Sequence, residues 1–225
     1  MPFFHADDGT KLYYEESGTG IPVLALSGLT RNTRDFDHVA PHLPVRLIRM
    51  DYRGRGESEW ADYKTYNIPQ EAADALALLD HLGLEQAAIL GTSRGGLIAM
   101  LLAATAKDRL LGVVLNDIGP EIDPKGMAVI ANYIGKNPVE DNHEDAAQAR
   151  ARNWVHFKGV PHARWLAEVR AHYAQTADGL VVRYDPKLRD AVLEGLEQPT
   201  PDLWPLYDAL GGLPLALIRG ANSDL

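Results

Sequence analysis

The sequence predicts an α/β fold in which helices cover both faces of a mostly parallel β-sheet, with a helical cap inserted late in the chain. Up to residue 118, short apolar runs alternate with helical segments, as is typical of a parallel sheet. From 119 to 210 the pattern is helical, and a strand-like run resumes at 213. These observations divide the chain into a first core part (1–118), a helical cap (119–210) and a last core strand with its loop (211–225).

The N-terminal elements follow from turn signals and apolar runs. Residues 2–16 are predicted to form a hairpin around Asp7-Asp8-Gly9, which is a strong turn signal. The continuous apolar run at 21–26 is typical of a strand that is buried on both faces. We expect a short helix at 35–43 and another strand at 45–50.

The middle of the chain predicts a helix over 67–82 and buried strands at 87–90 and 110–115. Asn67 can cap this helix, and Pro69 suits its first turn because proline lacks the N–H that the first turn leaves unpaired. The apolar residues of the helix fall on one face, as expected for a helix that packs against a sheet.

The cap is expected to form a lid over the site described next. Helices are predicted at 145–157, 161–175 and 186–196, and Thr200 can cap a further helix that starts with Pro201. Aromatic residues recur in the cap near helical spacing: Trp154, Phe157, Trp165 and Tyr173. They allow two interpretations, a packed interior of the cap or the apolar underside of a substrate pocket.

The stretch 87–106 carries the strongest chemical signal. An apolar strand ends in Gly91-Thr92-Ser93-Arg94-Gly95, and an apolar, helix-forming run follows at once. This is the G-x-S-x-G pattern between a strand and a helix, where glycines let the two backbones pass closely and the turn exposes the serine hydroxyl. Ser93 is therefore predicted to be a catalytic nucleophile. The alternative is a glycine-rich turn with an incidental serine.

A serine nucleophile needs a base, and the base needs a carboxylate that orients it. Asp224 follows the strand-like run at 213–219 and is the predicted acid. If that strand lies two places from the strand before Ser93, the two strand axes are roughly 10 Å apart, which leaves room for one imidazole. Asp117, at the end of the intervening strand, is the rival carboxylate. Helix capping or loop bracing is the preferred role for it.

The attack on an acyl group creates an oxyanion, which needs preorganised N–H donors. One predicted donor is the backbone N–H of Arg94, directly after the nucleophile. The second is the backbone N–H of Leu29, in the loop Ser27-Gly28-Leu29 that follows an early strand. The side chain of Arg94 is expected to brace a loop or to lie at the surface.

Together these motifs resemble the α/β-hydrolase family, in its esterase, lipase and C–C hydrolase group, along the whole chain. Ser27-Gly28-Leu29 resembles the oxyanion loop of that family, residues 51–58 resemble its D-x-R-G-x-G-x-S loop, and residues 219–224 resemble its acid loop. The resemblance implies an α/β-hydrolase fold. It also implies a serine-dependent hydrolase of a small carboxylic ester, lactone or related acyl compound, with no metal or organic cofactor.

Two departures from the family pattern matter. The family usually has His-Gly where this chain has Ser27-Gly28, and its catalytic histidine follows the acid, whereas all eight histidines here precede Asp224. We therefore expect the functional protein to continue beyond Leu225 with a strand, a helix and the general-base histidine. The histidines of the cap are expected on solvated helix faces: His143, His156, His162 and His172.

Composition excludes several other kinds of protein. The chain has no cysteine, which rules out disulfides and cysteine ligands, and no histidine stands in a metal-ligand spacing such as H-E-x-x-H. The net charge of −9 argues against a nucleic-acid or anionic-membrane partner. The N-terminus has no signal-peptide pattern. We expect a cytoplasmic protein whose partner is a small-molecule acyl substrate.

Other functions remain compatible with these residues. A non-catalytic protein of this fold could bind a small ligand under the cap. Ser27 in the oxyanion loop and the lack of a histidine after Asp224 are the reasons to consider this alternative. A cofactor-free haloperoxidase-like enzyme or a C–C bond hydrolase would reuse the serine machinery. A haloalkane dehalogenase would need a carboxylate at the position of Ser93, and this serine argues against it.

Overall fold

The computed structural model describes residues 2–199 and 201–223. Thr200 and Asp224 lie outside the described residues. In chain order the strands are β1 Phe3–His5, β2 Lys11–Ser17, β3 Pro22–Leu26, β4 Arg46–Met50, β5 Ala87–Thr92, β6 Leu110–Asn116, β7 Tyr173–Thr176, β8 Gly179–Val182 and β9 Leu215–Ile218. The helices are α1 Ile68–His81, α2 Arg94–Thr105, α3 Pro124–Tyr133, α4 His143–Asn153, α5 His162–His172, α6 Leu188–Leu196 and α7 Trp204–Asp208.

Seven of the strands form one sheet in the order β1-β2-β4-β3-β5-β6-β9. The pairs from β4 to β9 are parallel, and β2 pairs antiparallel with β1 and with β4. The predicted mostly parallel sheet is confirmed. β9 lies two places from β5 with β6 between them, which is the condition on which the acid prediction depends, so the carboxyl ends of all three strands meet at one edge.

The main core lies between this sheet and the helices α1, α2 and α7. α2 is buried along Ile98, Ala99 and Leu102 and packs against β5 and β6, while α7 packs against α2. Leu210, which follows α7, is buried in the same core. α2 is therefore held from several sides, and its first turn is fixed in place relative to the strand ends.

Most of the N-terminal expectations are confirmed. The hairpin forms, and the side chain of Asn67 accepts a hydrogen bond of 2.9 Å from the N–H of Gln70 at the start of α1. The helix expected at 35–43 is instead two short 3-10 turns, Thr33–Phe36 and Ala40–His42. Pro41 explains the break, because it cannot donate the backbone hydrogen bond that a continuous helix needs.

The segment between β6 and β9 contains five helices and the β7–β8 hairpin within its described residues. The helix predicted at 161–175 is wrong in its last part, since α5 ends at His172 and β7 begins. The turn at 177–178, which leads into Gly179 with its φ of +113°, and the β-branched pair that ends β8 favour the hairpin. The last helix begins at Trp204, not at Pro201. The division into core and cap domains stays a prediction.

Within the described part of the chain, no helix combines the length and the apolar character that crossing a membrane requires.

Candidate active site

Ser93 lies between β5 and α2 in a backbone conformation that L-residues rarely adopt, with φ +49° and ψ −111°. Its N–H donates to the carbonyl oxygen of Asn116 at 3.0 Å, and its own carbonyl accepts from the N–H of Gly96 at 2.8 Å. These bonds hold the strained residue between the end of β6 and the first turn of α2. The predicted strand–turn–helix corner is confirmed.

The glycines around Ser93 are required by close backbone contacts. A Cβ on Gly91 would lie 2.5 Å from the carbonyl oxygen of Gly95, and a Cβ on Gly95 would lie 2.1 Å from the carbonyl oxygen of Leu26. Neither contact could be relieved by a side-chain rotation, because both involve backbone atoms. The corner can therefore form only where both positions lack a side chain.

The loop Ser27-Gly28-Leu29 is held directly against this corner. The carbonyl oxygen of Ser27 accepts hydrogen bonds from the N–H of Gly95 at 3.1 Å and from the hydroxyl of Tyr52 at 3.0 Å. The guanidinium Nε of Arg55 donates to the carbonyl oxygen of Leu29 at 3.1 Å. Backbone and core groups thus brace the loop in a chain that has Ser27 in place of the usual histidine.

A cavity of about 240 Å³ opens beside Ser93. Its lining includes both Leu29 and Arg94, so the structure brings together the predicted nucleophile and the residues that carry the predicted oxyanion donors. The remaining lining residues come from α2, from the ends of β6 and β9, and from the start of the cap: Leu97, Asp117, Ile118, Gly119, Glu121, Ile122, Met127, Ile130, Leu217 and Arg219. Most of this wall is apolar, with a few charged groups.

Asp117 follows β6, has a φ of +55° and lines the cavity. Its N–H donates to the carbonyl oxygen of Ile218 at 2.7 Å, and its Oδ2 accepts from the hydroxyl of Ser223 at 2.8 Å. These bonds brace the loop that follows β9. Its Oδ1 is buried without a hydrogen-bond partner among the described residues, so it keeps a free acceptor near the cavity. Asp224, the predicted acid, lies outside the described residues.

The histidine expectations need one correction. His172 is expected on a solvated face, but the structure buries it. Its Nδ1 accepts hydrogen bonds from the guanidinium groups of Arg31 at 2.7 Å and Arg150 at 2.8 Å, which replace the contacts with water. Burial and these guanidinium groups hold the pKa of His172 well below its usual value. His156 and His162 are exposed, as expected, and His143 is half-buried. No histidine is among the described residues that line the cavity.

His172 belongs to a charged cluster that joins the cap to the segment after the oxyanion loop. Arg31 contacts Asp35 at 2.9 Å and Glu168 at 2.6 Å, so it bridges the start of the core to α5. Burial raises the pKa of Asp35 to about 6, against the opposing effect of Arg31. Asp35 and His172 face each other at 3.6 Å.

The aromatic residues of the cap fit the packed-interior interpretation only in part, because Trp165 is buried whereas Trp154 and Phe157 are 38% and 60% exposed. Trp154, Phe157 and Trp165 contact one another edge-on or tilted, with ring centroids 5.5 to 6.1 Å apart. Trp165 is buried in a cluster with α4 residues, and none of the three lines the cavity in the described part of the chain. They stabilise the packing of α4 against α5.

Two buried acids that pair with the 51–58 loop escaped the sequence interpretation. Glu71 and Asp74 on α1 are both buried, and each pairs with an arginine of the 51–58 loop. The sequence did carry one signal for their burial. Both acids fall on the helix face that also carries the buried residues Ala75 and Leu78. A carboxylate on the apolar face of a helix is rarely buried without a partner.

Comparison with known proteins decides the family. The alpha/beta hydrolase fold family matches residues 21–159, which is more than half of the chain. The chain belongs to the α/β hydrolase fold family. The structure of an α/β hydrolase from Novosphingobium aromaticivorans superposes with a TM-score of 0.86 at 34% identity, covering 96% of this chain and 79% of that one.

Relatives of known activity lie within the same family of α/β hydrolases. A 3-hydroxybutyrate-oligomer hydrolase of Cupriavidus necator is 35% identical over 209 residues, which cover 88% of this chain and 71% of that protein. A non-heme haloperoxidase of Rhodococcus erythropolis is 32% identical over 139 residues, or 57% of this chain. The matched region spans only 50% of that haloperoxidase.

Proposed function

We propose that this α/β hydrolase cleaves a carboxylic ester, with Ser93 as the nucleophile and the backbone N–H groups of Leu29 and Arg94 as the oxyanion hole. The observation that carries the proposal is the conformation of Ser93. A strained serine, held at a strand–helix corner beside a cavity that both donor residues also line, has the arrangement that acyl transfer requires.

The chemistry follows from these positions. The Ser93 Oγ adds to the acyl carbon while its proton passes to a base, and the carbonyl oxygen becomes an oxyanion that the two N–H groups bind. The leaving alcohol takes the proton as the tetrahedral intermediate collapses to an acyl-enzyme. Water then adds by the same route and releases the acid. The N-terminal end of α2, with its positive partial charge, favours the negative charge that develops.

Asp224 is proposed as the acid that orients the base, with Asp117 as the rival. Asp117 is a candidate for the acid because only one of its carboxylate oxygens is used in bracing the following loop. The other oxygen has no hydrogen-bond partner among the described residues. The expectation that the base is a histidine following Asp224 stays a prediction. A serine that has no base beside it is only weakly activated.

The substrate is proposed to be a short aliphatic ester, and an ester of a hydroxy acid in particular. The relative from Cupriavidus necator is named for hydrolysis of 3-hydroxybutyrate oligomers. The apolar wall formed by Leu97, Ile122 and Met127 suits a short alkyl chain, and a cavity of about 240 Å³ has room for a small acyl group.

A panel of p-nitrophenyl esters with acyl chains of increasing length tests this function, with Ser93→Ala as the matched variant. We expect turnover of the short esters by the natural protein and none by Ser93→Ala. Turnover that survives this substitution would remove Ser93 from the mechanism.

A second function is favoured by one observation, the lack of a histidine among the described residues that line the cavity. It is a non-catalytic binder of a small ligand. Recovery of a tightly bound ester unchanged after prolonged incubation with the natural protein would support it. Oxidation of a halide in the presence of peroxide, by the natural protein and not by Ser93→Ala, would instead support a haloperoxidase-like enzyme.

A further inference from the structure

We propose that Arg55 and Glu71 are positioning residues that hold both halves of the oxyanion hole, one through Leu29 and the other through Arg94. This inference rests on the proposed function, because it concerns the two N–H donors assigned there. Neither residue touches the reacting atoms; each acts through the backbone that carries a donor.

The contacts form one continuous chain between the two donor residues. The Nε of Arg55 donates to the carbonyl oxygen of Leu29 at 3.1 Å, and its Nη1 lies 3.0 Å from Glu71 Oε1. The other oxygen of Glu71, Oε2, accepts a short hydrogen bond from the Nε of Arg94. The guanidinium of Arg94 also donates to the carbonyl oxygen of Tyr66 at 3.1 Å. The oxyanion loop and the first residue of α2 are thus tied to a single carboxylate.

The burial of this chain makes it rigid. The side chains of Arg55 and Glu71 have no exposed surface, and that of Arg94 is 12% exposed. Burial lowers the pKa of Arg55, and the carboxylate of Glu71 opposes that effect. A buried charge that loses its partner is costly, so the pair cannot separate without a large penalty. Arg55 also packs over the rings of Tyr52 and Tyr66, which leaves its guanidinium little freedom.

A neighbouring ion pair provides a matched control. Arg53, two residues before Arg55 in the same loop, is bound in a bidentate manner to Asp74 at 2.7 Å, one turn after Glu71 on α1. That pair is equally buried, but its further contact is Asp8 in the N-terminal hairpin, at 2.8 Å. Loss of Asp74 therefore perturbs the same loop and helix without cutting the chain that joins Leu29 to Arg94.

The test measures binding of an oxyanion mimic. The serine oxygen adds to the carbonyl carbon of a butyl trifluoromethyl ketone while the hydroxyl proton passes to the base, which leaves an oxyanion on the former carbonyl oxygen. The corresponding secondary alcohol has a similar shape but no carbonyl carbon to attack. Affinities of both compounds are compared in the wild type, Glu71→Gln, Arg94→Gln, Asp74→Asn and Ser93→Ala. Arg94→Gln keeps the backbone N–H and the Arg55–Glu71 pair, so it tests the inference even if Glu71→Gln fails to fold.

We expect Glu71→Gln and Arg94→Gln to weaken ketone binding about tenfold or more, since loss of one donor costs about 10² to 10³ in rate. Alcohol binding should stay within about twofold in both variants, and Asp74→Asn should leave both affinities near wild type. A folded Arg94→Gln that binds the ketone as tightly as the wild type overturns the inference. So does an equal loss for ketone and alcohol, which is what a merely structural role would produce. Unchanged ketone binding in Ser93→Ala overturns the proposed function instead.

Discussion

The N–H of Gly95 donates a hydrogen bond of 3.1 Å to the carbonyl oxygen of Ser27, which joins the first turn of α2 to the oxyanion loop. The bond exists because Gly95 lies against the end of β3, where any Cβ would meet the backbone of Leu26. The absence of a side chain at this position therefore sets the distance between Ser93 and the loop that carries Leu29.

Gly95→Ala should disrupt this contact. A Cβ would lie 2.1 Å from the carbonyl oxygen of Leu26, so the loop and helix must move apart. We expect a loss of about 3 kcal/mol in the free energy of unfolding, the upper part of the usual range for overpacking. Urea unfolding measures it, and ketone binding should fall with it because the donors separate.

Gly195→Ala is the control for that experiment. Gly195 lies in α6 with open space where a Cβ would stand, so the alanine should stabilise the protein by about 0.5 to 1 kcal/mol. Equal stabilities of Gly95→Ala and the wild type would show that the close approach is not required.

The acid assignment predicts a clear difference between two carboxylates. Asp224→Asn in the natural protein should lower kcat about 10⁴-fold, the size seen when a triad acid is replaced by its amide. Asp117→Asn should change kcat by less than about tenfold, since its carboxylate braces the loop through the hydroxyl of Ser223. Steady-state kinetics with p-nitrophenyl butyrate compare the two. The reverse pattern would make Asp117 the acid.

Acid should act on the cluster around His172 in two opposite ways. The pKa of His172 is depressed in the folded state, so its contribution to stability is present above about pH 6.5 and is lost as the pH falls. The pKa of Asp35 is raised to about 6, so its contribution grows as the pH falls toward about 4. Each group changes stability by at most about 1.4 kcal/mol per pH unit.

Removing either side chain should therefore change how steeply the free energy of unfolding falls as the pH is lowered. Between pH 6.5 and 5, His172→Gln should lose less unfolding free energy than the wild type, and Asp35→Asn should lose more. Arg31, Arg150, Arg164 and Glu168 remain in place in both variants, and the exposed His162→Gln serves as the control. Urea unfolding at several pH values measures the slopes. Equal slopes of unfolding free energy against pH in the wild type and all three variants would contradict the opposite pH effects assigned to His172 and Asp35.

Much of the fold could be predicted because its signals are local. The strand–glycine–serine–glycine–helix pattern around Ser93 specifies its own geometry. The N-terminal capping of α1 by Asn67 depends only on residues next to it in the sequence. The position of β9 beside β6 was only a condition of the acid prediction, because nothing in residues 213–219 specifies which strand they pair with.

What the sequence did not reveal depends on partners that are distant in the chain. His172 looked like a surface residue because its partner Arg31 lies 141 residues away. Glu71 looked like an ordinary helix residue because Arg55 and Arg94 meet it only in the folded protein. The β7–β8 hairpin was missed because α5 runs directly into β7, so no break signal separates the helix from the first strand, and the turn signal comes only at Gly179.

The identity of the nucleophile is the claim on which the whole account depends. Incubation of the intact protein with a fluorophosphonate, followed by mass spectrometry of its peptides, tests it most directly, with Ser93→Ala as the matched variant. We predict a single phosphonyl adduct on the peptide that contains Ser93 and none in Ser93→Ala. Labelling that is unchanged in Ser93→Ala, or that falls on another residue, would contradict the account.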